Sequence, residues 1–131
     1  MKLTVLSPHR KLVDGESVDE ILAPGFAGQL GIFPNHANLV SELETGILKW
    51  KQGSKTSIAT LSTGVLEVFN GNITVLADVA ELGEEIDKVR AKVAQEKALK
   101  KIQEGGLDDA NFRKYELKLK RAMARTSVTD L

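Results

Sequence analysis

The chain has 131 residues, 42% hydrophobic and 27% charged, which suits one soluble domain or one domain with an appendage. It has no cysteine and only two histidines, His9 and His36. That excludes a disulfide scaffold, a thiol nucleophile, a thiolate zinc site and a multi-histidine metal site. Lys and Arg number 18, Asp and Glu 18, and this zero balance argues against a dedicated nucleic-acid binder with a global basic footprint.

No apolar run approaches the roughly 20 residues needed to span a bilayer. Met1–Ser7 is cut short by Pro8, His9 and Arg10 before it reaches the length of a signal peptide. The expectation is a protein that folds where it is made, without direct membrane insertion.

Residues 1–83 hold nine of the eleven glycines and all three prolines, and they read as short strands and turns. Leu3–Leu6 opens the series. Ser17–Ala23 follows, carrying Val18, Ile21 and Leu22. Glycines then recur at 25, 28 and 31. No Gly-Lys-Ser/Thr ending and no helix follow them, so this is not a phosphate loop. It reads as a tight turn, a strand with close backbone approach at Gly31, and a second turn at Pro34-Asn35. His36 in that turn lacks any announced catalytic partner.

Ile47–Lys51 and Thr56–Leu61 are strands joined through Gln52-Gly53-Ser54. Val65–Phe69 and Ile73–Ala77 flank Asn70-Gly71-Asn72, the strongest hairpin signal in the chain. Strand-sized runs at this spacing suggest a sandwich or barrel.

From residue 84 the period changes to about 3.6. Ile86, Val89, Val93 and Ile102 are apolar, and Ala91, Ala94 and Ala98 form a ladder of small residues. A helix is expected over about 87–103, closed by Gly105-Gly106. Asp87 and Arg90 share a face at its start and can pair. Glu84, Glu85 and Asp87 suit the positive end of its dipole. Asp108 or Asp109 can cap a second helix. Its apolar face is expected to be Phe112, Tyr115, Leu119 and Ala122, widened by Leu117, Met123 and Ala124. The short linker makes an antiparallel hairpin with a small mutual core, expected to be marginal alone and able to dock in more than one way.

The charge is unevenly distributed. Residues 1–83 carry 6 basic and 9 acidic side chains, and residues 84–131 carry 12 and 9. After residue 109 six positive charges face only Glu116 and Asp130. A basic helix beside an apolar stripe suits an acidic protein surface better than a nucleic acid.

These residues together resemble the epsilon subunit family of the F-type ATP synthase over the whole chain. The resemblance is carried by Asp19–Gly25, by Gly28-Gln29-Leu30-Gly31-Ile32-Phe33-Pro34-Asn35-His36-Ala37, and by Thr63–Val68 and Ile73–Asp78. Ile86–Ala91 and Leu119–Arg125 extend it through the hairpin. It implies an all-β N-terminal sandwich of about ten strands over residues 1–83, binding the gamma subunit and the c-subunit ring. It implies a regulatory, inhibitory α-helical hairpin over 84–131.

The implied protein is a non-catalytic central-stalk rotor subunit of a proton-translocating enzyme whose catalysis lies in the alpha/beta head. Gly28, Gln29, Leu30 and His36 are the implied contacts to the c ring and gamma. Members often carry Glu where this chain has Gln29, which removes the ionic contact and leaves a hydrogen-bonding side chain. In the extended state of the hairpin, Arg113, Lys114, Lys118, Arg121 and Arg125 are the implied contacts to an acidic stretch of the beta subunit.

The Ile86-Asp87-x-x-Arg90-Ala91 segment is similar to the motif of epsilon subunits that bind ATP in the folded hairpin. Glu81 matches an acidic position beside it, and Arg121 and Arg125 match basic positions on the second helix. Lys97 falls where members carry Arg; lysine keeps the charge and loses the planar fork. A regulatory ATP, with or without magnesium, is thus the implied ligand, and no cofactor is required. The implied location is peripheral, on the cytoplasmic face of a bacterial inner membrane or, alternatively, the stromal side of a thylakoid. The competing readings are a structural stalk subunit without inhibitory activity and an unrelated sandwich adaptor with a basic helix.

Overall fold

The computed structural model describes residues 1–129; Asp130, counted above among the charges opposing the last helix, lies outside the described residues. Eight strands precede two helices: β1 (Lys2–Leu6), β2 (Lys11–Ser17), β3 (Glu20–Gly25), β4 (Gly28–Ile32), β5 (Leu39–Leu43), β6 (Gly46–Gln52), β7 (Lys55–Phe69) and β8 (Asn72–Leu82). A single 3₁₀ turn at Gly83–Glu85 leads into α1 (Lys88–Glu104) and α2 (Asp109–Thr129).

The strand count is eight, where the resemblance implied about ten. The reason is the length of β7 and β8, at 15 and 11 residues. The first half of β7 pairs with β6 and its second half with β5. Likewise, the first half of β8 pairs with β1 as well as β7. One layer is therefore β2, β1, the start of β8, the end of β7, and β5. The other is the end of β8, the start of β7, β6, β3 and β4. Two strands serve both layers, so Thr56–Leu61 and Val65–Phe69 are one strand instead of two.

The crossing point is Thr63, a β-branched residue held at φ 37, in the sparsely populated left-handed region. Its hydroxyl donates to Asp78 Oδ2 at 2.7 Å on the facing strand. Pairing keeps one register through this kink, from Ala59↔Leu82 to Phe69↔Asn72. The side that faces the core changes, however. Ala59 and Leu61 point inward before it, Leu66 and Val68 after it. Strand side chains alternate strictly along a regular strand, so this change of parity requires the break at Thr63. Thr60 and Ser62 are thereby turned to the outer surface, where α2 buries them.

The core between the layers is aliphatic, with Leu3, Ile21, Leu48, Leu66, Ile73 and Val75 fully buried. The Asn70-Gly71 turn has φ 49 and 79, the geometry expected of the hairpin.

The helical hairpin differs in detail from expectation. Ala91 and Ala98 are the buried positions of α1, while Val89 is 73% exposed and Val93 also faces solvent. On α2 Ala122 and Val128 are buried, while Phe112 and Met123 are exposed. Small side chains let the two axes approach closely, and the alanine ladder, not the valines, therefore takes the interface. Gly105 and Gly106, at φ 72 and 73, end α1 as expected. Asp108 Oδ1 accepts from the Asn111 amide at 2.7 Å and caps α2.

Candidate functional site

The hairpin lies against the second layer through a short polar seam. Thr60 pairs with Glu81 and Ser62 with Val79 across β7 and β8, so Glu81 and Ser62 sit side by side on the outer face. Arg121 and Arg125 are one helical turn apart on α2. Arg121 Nε donates to Ser62 Oγ at 2.5 Å. Arg125 donates to Glu81 Oε1 through Nε at 2.7 Å and Nη2 at 2.6 Å. Both members of that pair are about 30% exposed, which makes it stronger than a surface ion pair and cheaper than a fully buried one. Val128 then seats against Gly83, whose missing side chain leaves the room.

The linker is fixed from the other side. Arg10, in the β1–β2 turn, places Nη2 at 2.7 and 2.8 Å from the two carboxylate oxygens of Glu85. That contact raises the Arg10 pKa above its ordinary value.

Asp87 is the N-cap of α1. Its carboxylate accepts from the Arg90 backbone N–H at 3.0 Å. The expected Asp87–Arg90 contact therefore goes to the amide and not to the guanidinium, because an N-cap side chain is aimed at the third amide of the helix. The Arg90 side chain is left exposed beside it, and Ala91 is buried behind. Glu84 and Glu85 belong to the preceding 3₁₀ turn and not to the first turn of α1.

A cleft of about 450 Å³ opens between this linker, α1 and Arg125, lined by Glu81, Glu85, Ile86, Asp87, Arg90, Ala91, Ala94 and Arg125. Six of the eight residues read as nucleotide contacts meet there. The other two, Lys97 and Arg121, line an adjoining groove of about 670 Å³ between the helices. Ala94 and Arg125 line both, so the cleft and the groove are neighbours.

Of the residues read as contacts to an acidic partner, Arg113 and Lys114 are exposed on the first turns of α2. Lys118 is exposed above the Tyr115 ring, its ammonium 5.3 Å from the centroid. Arg121 and Arg125 are engaged internally, with Ser62 and Glu81.

The residues read as c-ring and gamma contacts do not form one cluster. Gly28 and Gln29 are exposed in the β3–β4 turn, but Leu30 packs against the sandwich core. His36 lies beyond the other end of β4, half-buried, its Nδ1 2.7 Å from the Ala37 carbonyl oxygen.

Arg10, Ser62 and Glu85 as docking residues had escaped the sequence reading. Arg10 and Glu85 are 75 positions apart, and Ser62 and Arg121 are 59 apart. Ser62 fell between two expected strands and gave no local signal of this role.

No group of three or more potential metal-ligating side chains occurs among the described residues. No helix among them is long and apolar enough to cross a membrane.

Residues 1–83 match the family model for the ATP synthase delta/epsilon chain beta-sandwich domain, and residues 84–130 match that for its long alpha-helix domain. An ATP synthase epsilon chain from Bdellovibrio bacteriovorus is 34% identical over 99% of this chain and 94% of its own length. One from Geotalea daltonii is 40% identical over 98% and 92%. Among solved structures, a chain of the Euglena gracilis mitochondrial ATP synthase OSCP/F1/c-ring assembly superposes with a TM-score of 0.85. It is 24% identical, and the match covers 98% of this chain and 81% of that one, a likeness of fold.

Proposed function

Because the chain belongs to the ATP synthase delta/epsilon family, as an epsilon chain, we propose that it is a non-catalytic rotor subunit with a regulatory hairpin. In this reading the sandwich joins the gamma subunit to the c ring on the cytoplasmic face of a bacterial inner membrane. The exposed Gly28-Gln29 turn, beside Phe26 at 69% exposure, is the surface assigned to the ring. The hairpin releases from the sandwich, enters the alpha/beta head and blocks ATP hydrolysis. ATP favours the folded state.

The observation that carries this reading is the double use of Arg125. It holds α2 to Glu81, and it lines the cleft that Asp87 and Arg90 open into. A nucleotide seated there, with its phosphates toward Lys97 and Arg121, binds only when the hairpin is docked. A ligand that binds one of two states shifts the population toward that state. Two clusters of contacts, docked and extended, compete for the same two arginines, which is the physical basis of a switch.

The test uses the assembled complex. Removal of residues 87–131 is expected to raise its rate of ATP hydrolysis, and calorimetry of the full chain with MgATP is expected to show saturable heat. An unchanged hydrolysis rate removes the inhibitory role. No heat at millimolar nucleotide removes the ligand.

A further inference from the structure

The groove between α1 and α2 carries more positive charge than the hairpin's own contacts employ. Lys97, Lys100 and Lys101 line one wall, and Lys118, Arg121 and Arg125 the other. Glu104 is the one acidic residue on the lining. Arg125 is matched by Glu81 and Arg121 by the neutral Ser62. Among the described residues, Lys97, Lys100 and Lys101 have no ion-pair partner within 4 Å. The floor is Ala98, 4% exposed, with Ala94 beside it. Cations facing one another across a concave, apolar-floored groove concentrate positive potential there. Closing the hairpin in this form therefore opposes its own charges, and a multivalent anion relieves that cost where a monovalent one does not.

The shape of the groove selects among anions. The Tyr115 ring, its aromatic surface, already has the Lys114 and Lys118 ammoniums at 5.8 and 5.3 Å, so it is no free platform for a base. Lys97, Lys100 and Lys101 fall within about 6 Å along the helix axis. Charge packed that densely suits a chain of phosphates joined by single oxygens better than carboxylates spaced along a peptide. Ammonium and guanidinium groups are both strong donors to phosphate oxygens.

We propose that this groove is a binding site for inorganic polyphosphate chains, held by Lys97, Lys100, Lys101 and Lys118 with Arg121, and that it requires no nucleoside. The site shares Lys97 and Arg121 with the nucleotide reading and adds Lys100, Lys101 and Lys118, and it stands without that reading. Its occupation fastens α1 to α2 and so holds the hairpin folded.

Calorimetry of the full chain in metal-free buffer with sodium tripolyphosphate tests this, against orthophosphate, ATP and an oligoglutamate peptide. Tripolyphosphate is expected to saturate at an affinity at least about tenfold above orthophosphate and the peptide, because linked charges engage several cations at once. The double substitution Lys100→Gln/Lys101→Gln is expected to weaken it at least about fivefold with helix content unchanged by circular dichroism. Lys100→Arg/Lys101→Arg is expected to restore it, which covers the case where the glutamine pair disturbs the helix. Asp87→Asn, which keeps the α1 cap, is expected to leave tripolyphosphate affinity unaltered.

Absence of heat at millimolar tripolyphosphate overturns the proposal. So does equal affinity for orthophosphate or the peptide, or wild-type affinity in the folded glutamine variant. ATP binding with tripolyphosphate silent overturns this inference and leaves the nucleotide reading standing. Tripolyphosphate binding with ATP silent does the reverse.

Discussion

In the sandwich, eighteen hydrophobic side chains form one buried cluster. In the described part of the hairpin four are buried, and three of them are alanines: Ala91, Ala98 and Ala122, with Val128 the fourth. A buried Leu or Ile contributes about 1.5–3 kcal/mol and a buried methyl about 0.8. The sandwich is thus held by area removed from water, and the hairpin by a few directed polar contacts over a thin apolar seam. Directed contacts can be exchanged for equivalent ones elsewhere, whereas a core cannot. The difference makes the sandwich the scaffold and leaves the hairpin as the region whose contacts can be exchanged.

The largest expected effect tests whether the sandwich is as unforgiving as this implies. A Cβ on Gly64 would overlap the Leu76 carbonyl oxygen and meet the Ala77 Cα at 3.0 Å, both backbone. Gly64→Val is expected to cost more than about 3 kcal/mol in urea unfolding, or to prevent folding. A loss below about 1 kcal/mol would break the contrast between a rigid sandwich and a yielding hairpin.

The middle effect concerns the seam. Arg125→Ala removes the paired contact to Glu81 and is expected to weaken hairpin docking by about 1 kcal/mol, discounted for partial exposure. The readout is amide exchange. Protection in α1 and α2 is expected to fall severalfold while β1, β7 and β8 keep theirs. Equal loss in both regions would show that they unfold as one unit.

The smallest effect is expected from Arg10→Ala. The Arg10–Glu85 contact is open to solvent, and salt screens it. Faster exchange confined to residues 83–88, without a change in thermal midpoint, is the expected result. A larger shift than that of Arg125→Ala would move the anchor of the hairpin from α2 to the linker.

How much of this was legible depended on whether the signal was local. The Asn70-Gly71 hairpin, the Gly105-Gly106 stop and the Asp108 cap are each written in a few adjacent residues, and each was readable. β2 was missed because only Val13 among Lys11–Ser17 is buried, as befits a strand at the end of the sheet order. β5 was missed because Leu43 alone is buried in it. Thr56–Leu61 and Val65–Phe69 were expected as separate strands because polar Ser62-Thr63 and Gly64 interrupt the apolar pattern; only the common register with β8 on both sides of Thr63 shows one kinked strand. In α1 the sequence offers both apolar valines and an alanine ladder without ranking them. Ala91 and Ala98 are the buried ones, since small side chains let the helices approach closely. The cleft residues were named by a motif, but their junction with Arg10, Ser62 and Glu85 depends on contacts across the whole chain.

The kink at Thr63 has a mechanical consequence. In an ordinary sandwich the two sheets are joined by loops and interlocked side chains, and sliding one over the other bends only loops. Here β7 and β8 pass through both layers as a paired ribbon, with ladder hydrogen bonds on either side of the bend. Shear between the layers must stretch two continuous backbones and break that ladder. A twisting load applied at one layer is therefore delivered to the other through covalent chain, with little lost to slack.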